Sequence, residues 1–182
     1  MITVNASEWE GLKGMGEEIL REMKPKAERL MWNAGTKFQA ALKMKLTGTR
    51  SGKQYHIWSG TPGSDGPLYT ASAPREAPAS PTGNLRNSMG FSKPRWEGWT
   101  ISMEVGSGLG LDQKANDISK SYARRMEYGG SHTTPKTVPV KFSDGWRMVK
   151  AGTVIKIEAR SYMAPVSLEM EPVLQRLFEA GL

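Results

Sequence analysis

Cysteine is absent from the 182 residues, and histidine occurs only twice, as His56 and His132. Without a thiol there is no disulfide framework, no zinc–thiolate cluster and no cysteine nucleophile, so folding rests on an apolar core, as suits a reducing cytoplasm. Neither histidine has a partner at metal-ligand spacing, and both lie among Gly, Ser and Thr, so no zinc site is expected. Long apolar runs are missing too. Nothing approaches the roughly 18 residues of a spanning helix, and the opening MITVNASEWEGLKG has neither a basic start nor an apolar stretch. The expectation is a soluble, untargeted chain that does not use a membrane.

The motifs of common chemistry are equally scarce. There is no Gly-x-Ser-x-Gly elbow and no phosphate loop ending in Gly-Lys-Ser/Thr. The run Gly106-Ser107-Gly108-Leu109-Gly110 lacks the rest of a dinucleotide fingerprint and reads as a turn. Asp112, Asp117 and Glu127 are the acids a nuclease would need to hold magnesium, but nothing in their spacing requires it. Glu127 stands beside Arg124 and Arg125, so pairing with an arginine of a neighbouring subunit, or capping backbone groups, serves it as well. The chain is therefore read as a non-enzyme that needs no cofactor.

Charge is present in excess but not concentrated. Lys and Arg outnumber Asp and Glu by 25 to 18, a net +7, divided as +3 over residues 1–50, +1 over 51–120 and +3 over the rest. That favours an anionic neighbour without supplying a basic tail to grip nucleic acid. Lys53-Gln54-Tyr55-His56-Ile57-Trp58 is the best mixture of cation and aromatic for a single strand. Trp96, Trp99 and Trp146 alternate with polar residues and read as core or interface.

A chain of this length is one domain with a real core. Ser7 is a plausible N-cap for a first helix that Pro25 ends or kinks, and a second amphipathic helix follows, with Leu30, Ala34, Phe38 and Leu42 on one face and Gly48 as its stop. Its cations, Lys26, Arg29, Lys37, Lys43 and Lys45, are expected to face outward or toward a partner protein. Residues 47–83 then change character, since 21 of 37 are Gly, Pro, Ser or Thr. Such a segment reads as a structureless loop, and its large aromatics, Tyr55, Trp58 and Tyr69, suggest an arm that orders on a neighbour. Thr82 is expected to cap a two-turn helix carrying Leu85 and Met89, and Trp99 to Val105 alternates as a half-buried strand. A short helix ending at Gly129, with Tyr122, Ala123 and Met126 inward, leads to alternating runs at Val138, Val140 and Phe142, at Trp146 and Met148, and from Val154 to Ile157. A last helix starts near Pro165. The pattern is α+β, with long N-terminal helices and a C-terminal helix packed on an antiparallel or mixed sheet.

Three segments carry a resemblance. They are Thr82-Gly83-x-Leu85-Arg86-x-Ser88-Met89 after a Pro-rich lead-in, Tyr122-Ala123-x3-Glu127-Tyr128-Gly129, and Arg160-Ser161-Tyr162-Met163-Ala164-Pro165 before the last helix. In this order, over residues 69–180, the set resembles the small neck, tail-completion or minor tail proteins of tailed bacteriophages. The chain departs from that pattern at Tyr128, where Phe is usual, at Ser161-Tyr162, where a Pro-Phe pair is usual, and in its longer loop at 47–83. The resemblance implies a virion structural protein at the head–tail junction, assembled in the host cytoplasm. It implies a homo-oligomeric ring, a hexamer or a dodecamer, that touches other connector, head-completion and tail-tube proteins while double-stranded DNA passes through its lumen. A tail terminator is the alternative within this class; a virion-associated nuclease or DNA-binding protein is the alternative outside it. Tyr55, Trp58, Tyr69, Arg86, Glu127 and Tyr128 are the expected interface residues.

Overall fold

The computed structural model describes residues 6–58, 65–80, 82–98, 100–108, 117–142 and 145–181. Its longest element is helix α1, Ala6–Thr47, of 42 residues, about 63 Å at the usual rise per residue. Of the two effects expected at Pro25, ending the helix does not occur, because the proline removes a single intrahelical bond and its fixed φ suits a helix. Pro in a helix interior costs about 3 kcal/mol, and each of Gly11, Gly14 and Gly16 about 1 kcal/mol relative to Ala. All four fall in the N-terminal half. Among the α1 side chains described, those buried lie in the C-terminal half, Leu30, Ala34, Leu42 and Leu46 with them.

The helix stops at Gly48 as the sequence suggests, but arginine closes it. Arg50 donates from Nη2 to Lys45 O at 2.8 Å and from Nη1 to Gly48 O and Thr49 O at 2.7 and 3.0 Å. These are carbonyls that a helix C-terminus leaves without amide partners. A further bond from Nη2 to Pro78 O, 3.2 Å, ties the same guanidinium to the segment that follows.

Residues 47–83 are not structureless. They hold a hairpin, β1 (Gln54–Trp58) against β2 (Asp65–Thr70), with Tyr55 opposite Tyr69. Beyond it, residues 71–80 form a strap that buries Ser72, Ala77 and Pro78. Small residues offer little apolar area, which is why the composition read as unpackable, but here they permit close backbone approach. A Cβ on Gly52 would stand 2.5 Å from Ala71 O. Glu76 pins the strap by accepting from Ser51 N, Ser51 Oγ and Ala73 N at 3.1, 2.6 and 2.8 Å.

Helix α2 (Asn84–Asn87) is one turn, not two, and its N-cap is Gly83 at φ 73° rather than Thr82. Thr82 Oγ1 lies one residue earlier, accepting weakly from Asn84 N at 3.4 Å. Met89 has already entered β3 (Met89–Phe91), so Leu85 and Met89 reach the same core from different elements. The half-buried alternation after Trp99 is divided between β5 (Thr100–Ser102) and β6 (Val105–Ser107), with Ile101 and Met103 less exposed than their neighbours and the alternation lost at Val105, which precedes the buried Gly106. Trp99 itself lies outside the described residues.

Strand β3 pairs with β6, β4 (Arg95–Glu97) with β5, β7 (Gly130–Thr133) with β10 (Val154–Ile157), and β8 (Val138–Phe142) with β9 (Gly145–Val149), all antiparallel. The architecture is α+β, but among the described residues the strands make five two-stranded ladders rather than one helix-covered sheet. Strands of three to six residues, separated by turn formers, are too short to share edges. Helix α3 (Asp117–Tyr128) ends at Gly129, φ 72°, and α4 (Met163–Gly181) closes the chain. The core gathers Leu42 and Leu46 of α1, Ala77, Leu85, Met89, Ala123 and Met126 of α3, and Tyr162, Val166 and Met170 at and within α4. Around it the chain exposes 13,175 Å², against roughly 8,700 Å² for a compact monomer of this mass.

Candidate functional site

The most elaborate polar arrangement joins the end of α3 to the start of α4. Glu127 lies one residue before the last of α3, where helical spacing puts it on the same face as Ala123, and all three of Ala123, Met126 and Glu127 are buried. Its carboxylate accepts four hydrogen bonds: from Ser161 Oγ at 2.5 Å, Tyr162 N at 2.8 Å, Met163 N at 3.0 Å and Ala164 N at 3.1 Å. The three amides belong to the first turn of α4, which has no preceding carbonyls to bond. A carboxylate there also meets the positive end of the helix dipole.

Burial pushes the Glu127 carboxyl up, but the bonds from Met163, Ser161, Tyr162 and Ala164 together hold it below its ordinary value of 4.5. It is therefore ionised and fully engaged within its own chain. Of the two structural roles considered for Glu127, backbone capping is realised and pairing with a neighbouring arginine is displaced; both Arg124 and Arg125 are exposed. Expected at an interface, Glu127 is buried in its own chain, with four donors of that chain on its carboxylate.

Next to this clamp, Tyr162 is wholly buried, and its phenol is pushed far above the ordinary range by burial and by the Glu127 charge. Arg160 links the site to the strap. Its amide donates to Met126 O at 2.6 Å and its Nη1 to Ser72 Oγ at 2.8 Å. Tyr69 of the hairpin and Tyr122 of α3 each feel the other or its neighbours: burial raises both phenols, with Tyr55 adding to Tyr69, Tyr69 adding to Tyr122, and Arg160 opposing in each case. The Tyr55 and Tyr69 rings are 5.9 Å apart. Two of the expected arm anchors thus stack across their own hairpin.

Of the remaining expected interface residues, Tyr128 is 78% exposed and free to face a partner. Tyr122, expected inward, is exposed. Arg86 lines a 340 Å³ cleft with Arg50, Tyr69, Thr70 and Ser80, at the root of the hairpin. Trp58 pairs through its backbone with Asp65, and its side chain lies outside those described. Of the polar residues that fasten the strap, sequence reasoning missed Arg50 and Glu76, and it quoted Arg160 within a motif without giving it a role. The position of Arg50 two residues past Gly48 was the available signal for the first.

The nuclease alternative gains nothing from this geometry. Asp112 lies outside the described residues, as does the side chain of Asp117, and Glu127 is committed to α4. No cluster of three acidic or histidine ligands occurs among the described residues, where His56 Nδ1 meets Gly66 O at 2.9 Å. No helix among them is long and apolar enough to cross a membrane. In comparisons with known proteins, no family model, no curated protein and no solved structure matches this chain.

Proposed function

We propose that this chain is a structural protein of a tailed-phage virion, one subunit of a ring at the head–tail junction that joins tail to head and lets DNA through. The observation that carries the reading is convergence. Three segments far apart in sequence, 82–89, 122–129 and 160–165, supply Leu85, Met89, Ala123, Met126 and Tyr162 to one core, and Glu127 of the second holds the third. Motifs that pack as a unit behave as the signature of a fold and not as three coincidences.

Surface supports the same reading. The chain exposes about half as much again as a compact monomer. A ring subunit makes two heterologous contacts, each burying about 800 Å² per partner, so a large accessible surface suits it. Deleting the gene in the phage that encodes it is expected to leave filled heads and finished tails unjoined, with the wild-type chain present in virions at six or twelve copies by quantitative mass spectrometry. Tails of uncontrolled length would assign the tail-terminator role instead. Infectious particles lacking the chain, or magnesium-dependent DNA cleavage lost on Asp112→Ala, would overturn the ring reading.

A further inference from the structure

Helix α1 is two helices in charge. Residues 6–22 contain five Glu against Lys13 and Arg21, a net −3, whereas residues 23–47 contain six Lys or Arg against Glu28, a net +5. From the acidic half into the junction with the basic one, Glu17, Glu18, Ile19 and every residue from Arg21 to Lys26 are exposed. Lys24 reaches the Trp96 ring, 5.6 Å from its centroid, yet none of these described residues is buried, and a helix segment so exposed, beside three glycines and a proline, gains from being covered. Ile19 and Met23, four residues apart on one side, are 51% and 44% exposed, with Glu18 and Glu22 beside them. The one ion pair here, Glu18 to Arg21 at 3.5 Å, is solvated and worth little.

The basic half offers the complement. Its outward face carries Ala40 and the 75% exposed Met44, with Lys37 exposed and Lys43 partly exposed alongside. Lys45 is taken by Glu169 at 2.9 Å. The two halves cannot meet within one chain, because α1 runs unbroken through Pro25 and their midpoints are about 30 Å apart along the axis.

We propose that the acidic N-terminal half of α1, with Met23 at its edge, docks on the basic C-terminal half of α1 in a second copy, setting Ile19 and Met23 against Ala40 and Met44, with Glu18 and Glu22 facing Lys37 and Lys43. The proposal deepens the ring reading and rests on it for the identity of the partner. Each copy presents one acidic and one basic half, so the contact can repeat head to tail and close by rotation. The surface the chain leaves exposed is more than such a contact requires.

Sedimentation velocity on the full chain tests this with two charge-swapped proteins, Glu18→Lys/Glu22→Lys and Lys37→Glu/Lys43→Glu. All four positions lie outside the buried core, and far-UV circular dichroism checks that each protein folds. The wild type is expected to self-associate, about tenfold more weakly in 500 mM than in 50 mM salt. Each swapped protein alone is expected to lose at least about tenfold in affinity, and their equimolar mixture to regain it, since opposite charges again face one another. A monomeric wild type, swapped proteins that associate as the wild type does, or a mixture that stays apart would each overturn the docking. Rings that form regardless of these charges would sink the docking and leave the ring reading standing; charge-dependent two-fold pairs without rings would do the reverse.

Discussion

A single carboxylate holds two helices in register. Replacing Glu127 by Gln keeps the shape but turns an NH₂ group toward buried amide donors, leaving at least one of the Tyr162, Met163 and Ala164 amides unpaired. The expected loss is about 3 kcal/mol at pH 7, measured by urea unfolding. Magnesium should change neither protein. The pH dependence has a definite sign. Because the folded carboxyl lies below its ordinary 4.5, its contribution is present above that value and lost as pH falls through the lower, folded one. The stability gap between wild type and Glu127→Gln should be full at pH 6 to 7 and close as the pH falls below about 4.

Among the elements, those with a strong period were legible and those fastened by polar groups were not. Leu30, Ala34 and Leu42 announced the packed half of α1, and Val166, Met170 and Leu174 announced α4, because apolar spacing is a local property of sequence. Pro25 misled, since a proline's cost says nothing of what the surrounding helix can bear. The strap was illegible for another reason: Arg50 donates to Pro78 O, Arg160 donates to Ser72 Oγ and Glu76 accepts from Ser51, and such long-range partners leave no periodic trace. At the site, Glu127 was found but its partners were not, because a cap on a helix 35 residues away is a tertiary fact. The division of 47–83 into a fastened strap and a two-stranded hairpin is measurable. Hydrogen exchange on the isolated chain should show the Ala73 and Ala79 amides, bonded to Glu76 Oε2 and Ser72 Oγ, protected about tenfold more than amides of the β1–β2 hairpin. Equal, rapid exchange across both would mean that the strap is as loose as its composition suggests.

For the molecule as a whole, the five separate ladders leave one edge of every described strand unpaired by another strand, and two-stranded hairpins are marginal on their own in water. Stability must come from the helical core, which draws on α1, α2, α3 and α4 but on few strands. Removing β8 and β9 is therefore expected to be mild. Replacing residues 138–149, which pair only with each other among the described strands, by a short Gly/Ser linker should lower the melting temperature by no more than about 4 °C, about what 1 kcal/mol is worth at this size. A collapse of the fold would show that this hairpin holds up the core after all.

The clamp of Glu127 on Ser161 and Tyr162 has a consequence for how such a chain can be rebuilt. It closes a loop of more than 30 residues, from the end of α3 to the start of α4, at a single buried point. Everything strung between, β7 through β10, hangs from that knot as a cassette whose two ends are fixed in space. New sequence of very different length can be spliced into it at small entropic cost, because the penalty for closing a loop grows only with the logarithm of its length. In this fold that knot, and not the strands it encloses, marks the border between what must be kept and what can be replaced.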